Sequence, residues 1–391
     1  MYFFLRYTFL IILLVGGIGL QSLRAQSDTT KIPHRTAKEI LMWPHRTFFR
    51  FIMKEPPPVY DTTYIKGYRK HLVLTLPLTN RYLNFGIRDN ISNRSIQFAP
   101  NNGHYDIGIG LNSHRFGLVV NTGISLFKGD VDKKGKTKFR DYQLNIYGKR
   151  VVTDLSFQNY NGFYVRNTRR ILPSGITLPG RFELRPDIEA YSIGVSSLYI
   201  FNYKKFSYRG SFAFTEKQLK SAGSFVAGVY YTFMYADSDS SIISSNFRTV
   251  FDSSIFLKKA ITQNGGINLG YIHTLVIKKK SYVTLSLVNG MGAGRLHSLN
   301  VMGERKNSSV TLSVKTSFRI AAGFDDGKFF GGGMGIFDVF AYSTYSDISL
   351  DHGLGKFRVF LGYRFNVLKE ERRLLKKLKI IEWEESQKTN G

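Results

Sequence analysis

The sequence predicts an all-β protein: an antiparallel transmembrane β-barrel of about 12–14 strands, with even counts preferred. Three observations predict it. Strand-like alternation runs from about residue 71 to residue 367, a secretory leader precedes it, and the 391 residues contain no cysteine. The alternation is clearest near the C-terminus. There Phe357, Val359, Leu361, Tyr363, Phe365 and Val367 take every second position, with Lys356, Arg358, Gly362, Arg364 and Asn366 between them. Alternate side chains of a strand point to opposite faces, so this segment has one apolar face and one polar, partly cationic face.

The leader comes first in the chain. Arg6 supplies a positive start, Phe9 to Leu20 an apolar run, and Ala25 a cleavage point before Gln26. Leu23 is a large residue three before the cut, and an uncleaved anchor is the competing reading. No later segment has the ~18 continuous apolar residues of a spanning helix. Without cysteine there are no disulfides, thiolate metal ligands, cysteine nucleophiles or lipidated N-terminus. Lys+Arg number 55 and Asp+Glu 28, a net charge of +27, and loss of Arg6 and Arg24 with the leader lowers it by two. That excess suits an anionic membrane surface, and no nucleic-acid recognition motif is present.

Residues 26–70 read as a periplasmic extension. Thr36 to Lys54 suits a short helix interrupted at Pro44, with a poorly ordered tail as the competing reading, and Pro56-Pro57-Pro58 makes an extended linker. The barrel is expected over 71–367. Tyr105, Ile107, Ile109 and Leu111 alternate with Asp106, Gly108, Gly110 and Asn112, and Arg115 opens the next alternating run. Phe206, Tyr208, Phe212 and Phe214 likewise oppose Ser207, Arg209, Ser211 and Thr215, which reads as a strand. Val310 to Ile320 oppose Thr311, Ser313, Lys315, Ser317 and Arg319.

Short turns should alternate with longer loops. Lys278–Lys280 and Asp325–Lys328 are short; Arg295–Ser308 and Asp347–Gly353 are longer. Counting backwards, the rule fails near Lys217–Ala222, and the linker Arg169–Asp187 falls at the wrong end. Either a strand is miscounted, with Phe247–Leu257 a candidate, or that linker folds inward. Gly362, Phe365 and Val367 fit an outer-membrane assembly signal, in which Phe360 replaces an expected polar residue. Residues 368–391 read as a charged helix or a solvated tail.

Several blocks resemble a domain-of-unknown-function family of predicted outer-membrane proteins from the Bacteroidetes. They are Asp61 to Ile65, Pro100 to Gly110, Asp141 to Lys149, and Phe157 to Tyr164. The most specific starts at Arg185-Pro186-Asp187 and continues through Phe206-Ser207-Tyr208-Arg209 to Lys220–Ser224. The resemblance spans roughly 60–365. It implies a secreted barrel and brings no catalytic residue.

The polar clusters read mostly as structure. Asp325-Asp326-Gly327-Lys328 is hairpin-turn chemistry, and Asp351-His352 reads as a surface loop. Asp237 and Asp239 are a weak calcium candidate, and Gly331-Gly332-Gly333 marks a bend, bulge or close approach. No cofactor, metal or catalytic set is expected. The sharper candidates are basic residues facing the lumen: Arg115, Arg209, Lys315, Arg319, Arg358 and Arg364. They would either select anions or pair with Asp106, Glu189 or other carboxylates in a closed lumen, the favoured reading. The expected role is structural or passive transport in a Gram-negative outer membrane. A narrow anion-selective channel and a barrel enzyme acting on lipid or peptide are the other readings. Expected partners are outer-membrane lipid, the barrel-assembly machinery and a periplasmic protein, with no nucleic acid.

Overall fold

A computed structural model describes residues 60–68, 71–101, 105–113, 116–125, 130–148, 150–307, 309–343 and 348–366. The leader, most of the extension, the C-terminal segment, Arg115 and Val367 lie outside these residues. After β1 (Ile65–Gly67), strand β2 (His71–Asp89) crosses the wall away from the short-turn end. β3 (Arg94–Ala99) and β4 (Asp106–Asn112) return beside it as one interrupted strand. β5 (Phe116–Ser125), β6 (Lys138–Tyr147), β7 (Val151–Val165) and β8 (Leu184–Ile200) then run up and down in turn. Next come the short helix Tyr208–Phe212 and β9 (Glu216–Gln218). β10 (Ala222–Asp237), β11 (Leu257–Ile277) and β12 (Ser281–Asn300) resume the wall. β13 (Arg305–Asn307), β14 (Thr311–Asp325), β15 (Phe329–Ser343) and β16 (Ile348–Asn366) complete it.

The ring runs β11-β10-β8-β7-β6-β5-β4-β2-β16-β15-β14-β12 and closes by β12 pairing with β11. Of the 14 strands in this sheet, β3 and β13 stand off the ring, which leaves twelve around it. Every pairing is antiparallel, as short turns between successive strands require. The even count brings the first and last strands to the same end, where His71 pairs with Asn366.

Closure explains the alternation. Leu312, Val314, Phe318 and Ile320 of β14 are exposed, while Ser313, Lys315, Ser317 and Arg319 between them are buried inside. The same exposed row recurs as Ile267 and Leu269 on β11, Leu285 and Leu287 on β12, and Val359 and Leu361 on β16. At the short-turn end the row becomes aromatic: Phe225 meets Tyr271, and Tyr363 meets both Phe329 and Phe365. An apolar band edged by aromatics is the outer surface of a membrane barrel.

Three segments depart from the strand or loop expected of them. Phe206 to Phe214 is no strand: it forms a helical turn and folds into the barrel mouth. Removing that strand from the count repairs the turn-and-loop rule, because residues 166–183 then fall at the long-loop end. Phe247–Leu257 forms two 3-10 turns, Ser245–Phe247 and Ser253–Ile255, before β11 begins. Asp351 and His352 belong to β16, which starts already at Ile348. Asp326 does serve the expected turn. Its carboxylate accepts from the amides of Lys328 and Phe329, which hold it below the ordinary carboxyl range.

Leu287→Arg on the outer face of β12 is expected to cost about 2–4 kcal/mol of folding stability in lipid vesicles. Denaturant titration of the refolded protein measures it, and an unchanged midpoint would place this band outside hydrocarbon.

Candidate functional site

A ring of twelve strands is too wide for its own side chains to fill. The chain fills it with two segments from the connections, one at each end, and leaves a polar layer between them.

At the short-turn end the plug is residues 201–221. Ser207 caps its helix, accepting from the Gly210 amide at 2.9 Å and donating to Glu216. Phe214 has a φ of 61°, an uncommon conformation for a bulky residue. It packs on Phe330 at 4.6 Å and Phe360 at 4.5 Å between ring centroids. This explains why Phe360 sits where an assembly signal would take a polar residue: it faces inward and seats the plug. Ser211 bonds to Thr274 and Thr284 of the wall at 3.1 and 2.6 Å. From outside, β1 pairs with β9 and ties the end of the N-terminal extension to the plug.

Arg364 fastens this assembly. Its side chain is fully buried and grips Asp325 with both terminal nitrogens, at 2.8 and 2.6 Å. Its Nε donates to the Phe214 carbonyl at 2.7 Å. The guanidinium plane lies over Tyr68 at 4.1 Å and Phe330 at 4.5 Å. Gly362 leaves space for Phe330, since a Cβ there would collide with its ring.

At the long-loop end, residues 238–256 turn inward. Ile242, Ile243, Phe247, Val250, Phe251 and Ile255 join an apolar core with inward residues of β2, β3 and β7. Arg185 holds this cap by donating to the carbonyls of Ser241 and Ile242, and is itself paired with Asp187 at 2.6 Å.

Between plug and cap lies a chamber of about 110 Å³. Lys315, Arg319, Lys356 and Arg358 line it, opposed by Asp154 and Asp338. Arg319 meets Asp154 at 2.9 Å and bonds to Tyr208 of the plug. Close by, Arg81 pairs with Asp141 at 3.3 Å, both side chains 3% exposed. Lys315 lies over the rings of Tyr230 and Phe340.

Of the expected basic residues, Lys315, Arg319 and Arg358 therefore meet at the chamber and Arg364 lies at the plug. Arg209 sits on the plug helix, paired with Glu216 at 3.1 Å, and not on a wall strand. The carboxylates that answer these cations are Asp154 for Arg319, Asp325 for Arg364 and Glu216 for Arg209. Sequence reading missed Arg81, Asp141, Asp154 and Asp338. On β2 the signal was obscured because Arg81 shares its inward face with Leu83, Phe85 and Ile87, which are apolar to meet the cap. Phe365 is exposed outward. Asp237 contacts Lys259 at 3.6 Å, and among the described residues no cluster of His, Asp and Glu suits a metal ion. Gly332 lies in a regular ladder, where close backbone approach needs glycine.

The closed antiparallel ring, apolar outside and charged within, defines a β-barrel of the membrane-spanning class. The chain belongs to the family described as domain of unknown function DUF4421, whose model matches residues 59–365. No curated protein matches it. Among solved structures it is similar to a loop-deletion mutant of OmpT, an outer membrane protein of Vibrio cholerae. Identity is 8%, coverage 74% of this chain and 98% of that one, and the TM-score 0.25. A Pseudomonas aeruginosa FadL homologue gives 10% identity, 75% and 90% coverage, and a TM-score of 0.24. The Pseudomonas putida toluene transporter TodX gives 8%, 75% and 90%, and 0.21. Likenesses this weak carry no information about function.

Arg364→Gln leaves Asp325 buried without its counter-charge and is expected to destabilise the barrel by about 3–5 kcal/mol. Limited trypsin treatment should then cut at Arg209 or Lys217 in the loosened plug, whereas the wild type resists.

Proposed function

We propose that this protein is an outer-membrane β-barrel that is closed at rest and acts without enzymatic turnover, in a structural or passive-transport role. The single observation that carries this reading is the pair of apolar seals. Phe214 on Phe330 and Phe360 closes one mouth, and the core around Phe247 and Phe251 closes the other. Ions crossing such layers would leave water, at a cost of many kcal/mol. The apolar band and its aromatic edge support a membrane location, and the leader supports export to the outer membrane.

The favoured expectation of a closed lumen gains support from Arg319 and Arg364, each engaged by a carboxylate. An anion-selective channel would need such groups free along a continuous path. An enzymatic reading has no comparable support. Asp351 and His352, the nearest candidate pair, point to opposite faces of β16.

Planar-bilayer recording of the detergent-folded protein is expected to show no sustained conductance. Phe214→Asp, by breaking the stack at the plug, should produce intermittent openings. Steady anion-selective openings of the wild type would overturn the closed reading.

A further inference from the structure

Of the four cations that line the chamber, only Arg319 forms an ion pair among the described residues. Arg319 is taken by Asp154, and Lys315 is covered by aromatic rings. Lys356 and Arg358 form no ion pair among the described residues. Lys356 donates to the Gln143 amide oxygen, and Arg358 Nε donates to Thr79 Oγ1 at 3.3 Å. Both line the chamber, and neutral acceptors alone are weak compensation for buried charge.

The wall beside them is incomplete. β5 and β6 are ten residues long, yet their ladder covers only Phe116↔Ile146 to Val119↔Gln143. Beyond it, Lys138 to Tyr142 pair with β7 alone, and the partners of Val120, Asn121 and Ser125 lie on β4. At the rise of a tilted strand, the ladder ends roughly 10 Å above the short-turn rim, inside the span of a bilayer. Unpaired strand edges are costly there and mark a place where something else approaches. Gln143, the last residue of β6 paired with β5, is the one that holds Lys356. The seam therefore opens next to the two cations.

We infer that the chamber binds a small oxyanion, a carboxylate or phosphate, between Lys356 and Arg358, and that the β5–β6 seam is its entrance through the side of the barrel. This rests on the closed reading of the two mouths, which leaves the side as the approach. The anion is either a free ion or the head of a single-chain lipid whose tail lies through the seam in the hydrocarbon.

Equilibrium binding of radiolabelled laurate and of inorganic phosphate to the folded protein in uncharged detergent tests this, with dodecanol as the uncharged control. Saturable laurate binding without dodecanol binding assigns the site to a lipid head; phosphate binding alone assigns it to a free ion. In either case Lys356→Gln with Arg358→Gln should weaken binding by at least about thirtyfold, with heat-modifiable mobility retained as the check on folding. The chain has no cysteine, so Val120→Cys with Tyr142→Cys can be joined across the seam by a reducible thiol-specific cross-linker. That cross-link should block entry, and reduction should restore it without altering either cation. Binding by neither probe, or equal binding by the double glutamine variant, overturns the site. Equal rates of entry in cross-linked and reduced protein overturn the entrance. Conductance measured on the same preparation separates these failures from failure of the closed reading.

Discussion

The Arg364–Asp325 pair is the contact on which the closed barrel depends. It joins three parts of the chain that are far apart in sequence: the last strand, the end of β14, and the plug carbonyl at Phe214. Burying a guanidinium and a carboxylate is expensive, and only near-complete hydrogen bonding offsets it. Here both terminal nitrogens grip the carboxylate, Nε takes the carbonyl, and Tyr68 and Phe330 sandwich the plane. The pair adds little as a source of stability over an apolar substitute. Its value is position: the Arg364 guanidinium is fully hydrogen-bonded only when the plug is seated.

The interior follows from the same geometry. A membrane barrel cannot place its apolar residues inside and still present hydrocarbon to lipid, so its inward positions are polar along much of each strand. Such a lumen would fill with water unless another part of the chain entered it. The plug and cap enter from opposite ends, each with phenylalanine and isoleucine or tyrosine at its tip, and each meets a local apolar patch on the inner wall. Charges that cannot reach water then collect in the middle layer, where Arg319 pairs with Asp154 and Arg81 with Asp141. The blocks that resemble the family most specifically fall on these fastenings: Arg185 on the cap, and Phe206 to Arg209 on the plug.

The strands are unequal, and the inequality has consequences. β11 and β12, of 21 and 20 residues, pair along nearly their whole length. β4, β5 and β6 are 7 to 10 residues long, and above them β3 reaches across to pair with both β2 and β7. The wall is thus continuous and stiff on one side and stepped on the other. The chamber touches the stepped side through Gln143 and Asn145 of β6, and takes the rest of its lining mainly from β7, β8 and β14 to β16.

The sequence by itself determined the barrel. Strict alternation, the charge on one face and the lack of spanning helices can all be read residue by residue, because the strand period and the burial of polar groups are local properties of consecutive residues. It also placed Lys315, Arg319, Arg358 and Arg364 on an inner face. Phe206 to Phe214 shows where local reading stops. Its aromatic residues alternate as a strand would, yet tertiary packing bends it into a helical turn, because Phe214 finds Phe330 and Phe360, and Phe206 and Tyr208 a second buried cluster, inside the lumen and not lipid outside. Which carboxylate answers which cation was likewise decided only in three dimensions. The pairing depends on strands brought together by closure of the ring, and residues 165 positions apart, such as Asp154 and Arg319, carry no mark of it in one sequence.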